Sequence, residues 1–481
     1  MDAAPRRISI SLLAHTNVGK TTLARTLLGA DVGEVRDAAH VTEFAEGHEL
    51  VTANGHALWL WDTPGFGDSV RLLQRLESSA QPVLGFLRDT WDRFADRPFW
   101  CSQQALKNAR EEADVVLYLA SAAEPPGQAG YLEPELRILG WLGKPVIVLL
   151  NQLGAPRAPD VEAAEVAQWR AALAAHGFVK AVLPLDAFAR CWVQESVLWR
   201  CVEDALDAPL QPAMAALHAA WRARRERTFE ASMQVLAEFV AAAAADREPV
   251  DDPGLSTRLR DWVRSAVVGG GDDAEAKARA RLAARLDAAA SACLQRLVAL
   301  HGLDGAAAAR IADELAGLAV VEAPISTAKG GMIGGALGGA ALGLKADLAT
   351  GGLSFGAGLL VGSVLGALGG AGIVRGVNKL RGAEAPVVSW GQAVLARLVR
   401  DALLRYLAVA HFGRGRGAWR EVGAPAHWPA MVDTAIAARE SALADALAMP
   451  DPTPIAVVLA AAGRDALCAL HPTAAPWLAR P

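Results

Sequence analysis

Ala14-His15-Thr16-Asn17-Val18-Gly19-Lys20-Thr21 comes within one residue of the spacing G-x-x-x-x-G-K-[ST], with alanine in place of the first glycine. The chemistry of that spacing is phosphate binding. Backbone N–H groups of Asn17, Val18, Gly19 and Lys20 converge on phosphate oxygens, Gly19 allows close approach, and the Lys20 ammonium reaches outer phosphates. The Thr21 hydroxyl is suited to holding Mg2+, and Thr22 continues the first turn of a helix whose positive end favours anions. A second cluster, Asp62-Thr63-Pro64-Gly65, supplies a carboxylate for the metal and a glycine N–H for the terminal phosphate. Thr42 lies 20 residues before that aspartate, where a loop hydroxyl completes a metal shell or serves simply as a polar loop residue.

These residues need a scaffold, and the surrounding pattern supplies one. Residues 7–13 alternate apolar and polar and then run apolar, as a strand entering a buried sheet does. TTLARTLLG reads as a short helix closed by Gly29. Asn54-Gly55 marks a hairpin whose second strand is ALWLWD, residues 57–62. Residues 114–120 and 144–151 are uninterrupted apolar runs of the kind buried on both faces. Residues 161–177 read as a helix closed by Gly177, and residues 180–186 as a last strand. The long stretch from Ser69 to Arg110 reads as helical. Alternating strands and helices predict a doubly wound, mostly parallel sheet.

With strand, loop and helix in place, NVGKT, DTPG and their spacing resemble the Era-like P-loop GTPases of the translation-factor-related class, over roughly residues 7–206. The resemblance implies an α/β P-loop NTPase fold, GTP and GDP as ligands, Mg2+ as cofactor and hydrolysis at the γ-phosphate. It implies catalytic or binding roles for Asn17, Lys20, Thr42 and Gly65. Asn17 matches the family asparagine that in several members coordinates K+, although it could equally shape the loop. Phe66 follows Gly65 where Ras-like proteins carry a water-orienting glutamine, as in the hydrophobic-substituted members of the class. The guanine-reading motif [NT]-K-x-D is only partly present. Asn151 is retained, Gln152 replaces the lysine and Gly154 the aspartate, and Ala187 matches the last family motif weakly. Loss of a buried acceptor weakens base discrimination; Asp186 is a substitute by position. G domains of this class often pair, so a homodimer is one expectation.

After residue 206 the strand patterns end. Residues 207–481 predict an all-α domain of alanine-rich amphipathic helices. The basic run Arg222, Arg224, Arg225 and Arg227 reads as a solvated helix face in preference to a contact for anionic lipid or RNA. Residues 329–381 hold an apolar Gly-rich hairpin in which Gly331, Gly335, Gly339 and Gly343, then Gly358, Gly362, Gly366 and Gly370, recur every fourth residue. That spacing aligns them for close helix contact. The first arm reaches only about 22 Å, short of a hydrocarbon core of roughly 30 Å. Residues Gly330 to Gly376 therefore suit a re-entrant membrane hairpin or a glycine zipper inside a soluble domain. Three functional classes follow: a slow GTPase with a helical effector half, a non-hydrolysing nucleotide-responsive membrane protein, and a soluble ribosome or RNA assembly GTPase.

The bulk numbers fit a folded intracellular chain. It has 481 residues, 53% hydrophobic and 21% charged, which predicts more than one domain and excludes wholesale disorder. A net charge of −5 gives no general pull toward nucleic acid, and no DNA partner is expected. Five cysteines without C-x-x-C pairs and an N-terminus without an apolar signal core predict a cytoplasmic protein, peripheral at or inserted in the inner membrane through the hairpin.

Overall fold

The computed structural model describes residues 5–29, 44–78, 81–88, 96–153, 158–186, 191–250, 273–303, 373–378, 385–412, 425, 427–449 and 451–478. Thr42, Gly154, Ala187 and nearly all of the Gly-rich hairpin lie outside these residues. Two compact units are present. One comprises residues 1–227, 410–420 and 467–481, the other 228–409 and 421–466.

The first unit is built on a six-stranded sheet of order β2-β3-β1-β4-β5-β6. Its strands are β1 (Arg7–Ala14), β2 (Glu46–Ala53), β3 (His56–Asp62), β4 (Val115–Ser121), β5 (Val146–Asn151) and β6 (Val179–Pro184). All neighbours are parallel except β2 and β3. The apolar runs become the central strands because both faces are covered: every residue of β5 is buried, as are seven of eight in β1. The edge strand β2 is mostly exposed or half-buried. Asn54 (φ 51°) and Gly55 (φ 77°) both take the left-handed conformation that a tight hairpin turn requires.

Helix α1 (Lys20–Leu28) ends at Gly29, whose left-handed backbone lets its N–H close on the Arg25 carbonyl. The stretch expected to be helical between Ser69 and Arg110 contains α2 (Ser69–Glu77), α3 (Pro82–Arg88) and α4 (Arg97–Glu111). Helix α5 (Leu132–Leu142) precedes β5, and α6 (Pro159–Leu173) precedes β6. Gly177 does not close α6. The helix ends at Ala174 in a right-handed conformation, and the His176 N–H bonds the Leu173 carbonyl in a following turn. Helix α7 (Trp192–Ala205) completes the pattern, and α8 (Gln211–Ala245) follows it. Arg225 on α8 departs from the solvated face expected of the basic run. It pairs with the buried Glu195 of α7 at 3.2 Å and lies over the Trp221 ring at 5.1 Å.

The second unit is helical, with α9 (Asp273–Leu300), α10 (Gln392–Ala410), α11 (Trp428–Ala437), α12 (Glu440–Ala448) and most of α13 (Pro452–Leu470). Its core includes Phe229 edge-on to Tyr406 at 5.5 Å, with His301 beside the same tyrosine at 6.0 Å. The all-α expectation is corrected by a three-stranded antiparallel sheet of β7 (Arg247–Pro249), β8 (Ile373–Asn378) and β9 (Ala385–Trp390), in order β7-β9-β8. Helical spacing of glycines carried the reading through Val374 to Gly376, but the β-branched Ile373 and Val374 there pair with Trp390 and Ser389 of β9 instead, and Arg375 and Gly376 with Val388 and Val387. Among the described residues one helix, α13, is long and apolar enough to cross a membrane. Its Ile455, Leu459, Ala462, Ala466 and Leu467 are buried within the protein.

Candidate functional site

Parallel strands on either side of β1 leave it at a point where the chain crosses to opposite sides of the sheet. Loops after β1, β3, β5 and β6 gather at the carboxyl ends of their strands there. The loop after β1 carries Asn17 at φ 66° and Gly19 at φ 95°. Positive φ at these two positions curls successive N–H groups into an anion-binding concavity, which continues into the N-terminus of α1. Gly19 is the N-cap and contributes no side-chain hydrogen bond to it. Ala14, which replaces the first motif glycine, ends β1 without positive φ, so alanine is tolerated there. Thr22 is buried within the first turn of α1.

Three residues converge on the phosphate end. Thr21 donates its hydroxyl to Asp62 Oδ2 at 2.6 Å, while Asp62 Oδ1 is buried with no hydrogen-bond partner among the described residues. Burial pushes the Asp62 carboxyl up to about 6, against the opposing influence of the Thr21 hydroxyl and the Lys20 charge. Lys20 is itself buried, and desolvation lowers its pKa while Asp62 and Glu135 pull it back. Its Nζ lies 3.5 Å from the His15 carbonyl.

Gly65 sits hard against this loop. A Cβ added there would lie 2.9 Å from Lys20 Nζ and 2.9 Å from Thr16 Cα, so the close approach excludes any side chain. The next residue locks the two segments together. Phe66 donates its N–H to the Ala14 carbonyl at 3.0 Å, and its carbonyl accepts from Thr16 N–H at 2.9 Å and the Thr16 hydroxyl at 2.6 Å. The Phe66 ring is fully buried.

At the base end, Asn151 is fully buried and its amide donates to the Val18 carbonyl at 2.6 Å. It braces the phosphate loop from the end of β5. Gln152, at φ 59°, reaches the same loop: its Nε2 donates to the Asn17 carbonyl at 3.3 Å, and its Oε1 accepts from Ser121 at 2.7 Å. Asp186, after β6, accepts the Leu153 N–H at 2.8 Å and so fixes the segment next to Gly154.

A buried polar network behind the loop was not legible in the sequence. Glu135 of α5 has no solvent exposure and accepts from Ser69 at the start of α2, from His15 Nδ1 at 2.8 Å and from the Tyr118 hydroxyl at 2.7 Å. The His15 ring stacks on Tyr131 at 4.8 Å. Burial and Glu135 hold the Tyr118 hydroxyl well above its ordinary pKa, so it stays protonated and donates. One carboxylate thereby ties the phosphate loop to the first residue after the DTPGFGD segment. Glutamate on a helix ordinarily reads as surface. Only its position among Leu132, Leu136 and Leu139 could have flagged it.

With this geometry in hand, relatives can be compared. Residues 9–152 match the family described as 50S ribosome-binding GTPase, and residues 170–449 match Domain of unknown function (DUF3482). No curated protein matches the chain. Among solved structures, an Era variant from Aquifex aeolicus bound to GDP and aluminium fluoride is 16% identical, covering 58% of this chain and 88% of that one, at TM-score 0.27. Era in complex with MgGDPNP and nucleotides 1506–1542 of 16S ribosomal RNA is 17% identical, covering 62% and 89%, at TM-score 0.30. The bacterial selenocysteine-specific elongation factor EF-Sec is 14% identical, covering 37% and 25%, at TM-score 0.23. The DUF3482 match spans more than half of the chain, which therefore belongs to that family, and the P-loop domain that precedes it matches the GTPase model over residues 9–152.

Proposed function

We propose that this GTPase hydrolyses GTP slowly and couples its nucleotide state to the helical C-terminal half, which engages a membrane through the Gly-rich residues 330–372 that precede β8. The observation that carries the nucleotide reading is the juxtaposition of Thr21, Asp62, Lys20 and Gly65 around the positive-φ loop. In this reading the amides of Asn17 to Thr21 and the Lys20 ammonium hold the phosphates, and the Gly65 N–H faces the terminal one. Slow turnover is supported by Phe66. A buried ring offers no group to orient an attacking water, so hydrolysis rests on backbone amides and Lys20.

The metal fits as well. Thr21 and Asp62 would hold Mg2+, since Asp62 Oδ1 is a buried acceptor with no partner among the described residues. When bound, that ion supplies positive charge against the β- and γ-phosphate oxygens. K+ beside Asn17 extends the proposal, supported by the family match of that asparagine alone. Asp186, fixed beside the guanine-reading segment, supports retained base selectivity despite Gly154.

Purified protein should release phosphate from GTP, and Lys20→Ala should abolish release; equal activity in the variant refutes the catalytic reading. Binding of GTP, GDP, ATP and XTP tests the base, and equal affinities refute guanine selectivity. Matched K+ and Na+ buffers test Asn17, identical rates removing the K+ role. Sedimentation with anionic liposomes, lost on deleting residues 330–372 ahead of β8, tests membrane engagement.

A further inference from the structure

Cys191, His411 and His471 come from three segments far apart in sequence, yet their Sγ and imidazole nitrogen atoms all lie within 4.8 Å of one another. The two histidines face each other through Nε2 atoms only 2.9 Å apart, with their rings stacked at 25°. Cys191 and His411 are buried and His471 is half-buried. None of the three takes part in the nucleotide site.

We propose that Cys191, His411 and His471 form a zinc site with one thiolate and two imidazole ligands, which pins the segments at 411 and 471 to the N-terminus of α7.

Donor chemistry favours this ion. One sulfur and two imidazole nitrogens suit a borderline-soft divalent cation that accepts tetrahedral geometry. Tetrahedral bonds of 2.0–2.1 Å place two nitrogens about 3.3 Å apart, so an opening of a few tenths of an ångström converts the hydrogen-bonded pair into two ligands. Three protein ligands leave a fourth position for water or an exogenous ligand.

The surroundings prepare each ligand. Cys191 is the N-cap of the 14-residue helix α7, with its backbone N–H held by Gln194 at 2.8 Å. The positive end of a helix favours thiolate over thiol, and the guanidinium of Arg225 lies within electrostatic reach. His471 directly precedes a 3-10 turn (Pro472–Ala474) that packs on α7, which aims the cluster at the helix terminus.

Co2+ titration of the full chain, freed of metal by a chelator, tests the site. Expected are one Co2+ per chain, visible d–d bands of a tetrahedral ion and a near-ultraviolet thiolate-to-cobalt charge-transfer band, all displaced by Zn2+. Cys191→Ser should abolish the charge-transfer band, and His471→Gln should weaken binding at least about a hundredfold. Wild-type spectra lacking the charge-transfer band, or variants that keep it, overturn the proposal. Should a variant fail to fold, melting of the wild-type chain decides. Equimolar Zn2+ must raise its melting temperature over the chelated sample where equimolar Mg2+ does not, and no difference between the two ions overturns the site.

Discussion

Replacing Gly65 with alanine tests the coupling between the two halves of the phosphate site. The added methyl would stand 2.9 Å from Thr16 Cα and 2.9 Å from Lys20 Nζ. Lys20 can swing its terminal atom, but Thr16 Cα belongs to a backbone held on both sides by Phe66. Ordinary contacts need about 0.5 Å more, so the DTPG segment has to retreat from the loop, taking the residue 65 N–H with it. Misplacing one donor aimed at developing charge costs about 10²–10³ in rate, or ~3–4 kcal/mol. The GDP contacts proposed for Asn17 to Thr21 would stay in place. Single-turnover phosphate release at saturating GTP, paired with GDP affinity, should therefore show a large rate loss and little change in binding. A rate within about threefold of wild type, or GDP affinity falling as far as the rate, would refute the reasoning.

Other substitutions probe the supports of the site. Asn151→Ala removes the buried amide that holds the Val18 carbonyl, and should weaken GTP, XTP and ATP alike by about 1–3 kcal/mol in equilibrium binding. A loss confined to guanine nucleotides would instead make Asn151 a base reader. Glu135→Gln gives one oxygen to three donors that now share two, and should lower stability to urea by about 1–3 kcal/mol; an unchanged midpoint removes the network from the account. His218 is buried, and burial with nearby Arg222 and Arg200 lowers its pKa to about 4. Because the unfolded state binds the proton more tightly, stability falls with pH between about 6.5 and 4, by roughly 2 kcal/mol at pH 5. His218→Phe should flatten that slope in urea titrations at pH 7 and pH 5, and an equally steep slope in the variant sinks the assignment.

The features legible in the sequence were those set by neighbours in the chain. Alternation and apolar runs marked β1, β4 and β5, Asn54-Gly55 marked the hairpin, and Gly29 marked the end of α1, each through local sterics or a single buried face. GKT and DTPG were readable because close phosphate approach demands small residues at fixed spacing. Features set by tertiary partners escaped. Beyond its place among Leu132, Leu136 and Leu139, nothing local distinguishes Glu135 from a surface glutamate, and the brace from Asn151 to Val18 exists only once β5 lies beside β4 and β4 beside β1. The short sheet of the second unit was hidden for the same reason. Arg247–Pro249 carries no alternation at all, and Ile373–Asn378 follows a glycine run whose period is helical.

The bridge through Phe66 gives this GTPase a threshold. Three hydrogen bonds, two of them between backbones, zip residue 66 to Ala14 and Thr16. At about 1 kcal/mol net apiece they place a barrier of ~3 kcal/mol between the zipped arrangement and any in which the DTPG segment moves outward. Outward arrangements are thereby held to roughly one part in a hundred, so the residue 65 N–H stands against the loop ahead of any ligand. The seating of that one donor is thus written into the backbone of one phenylalanine.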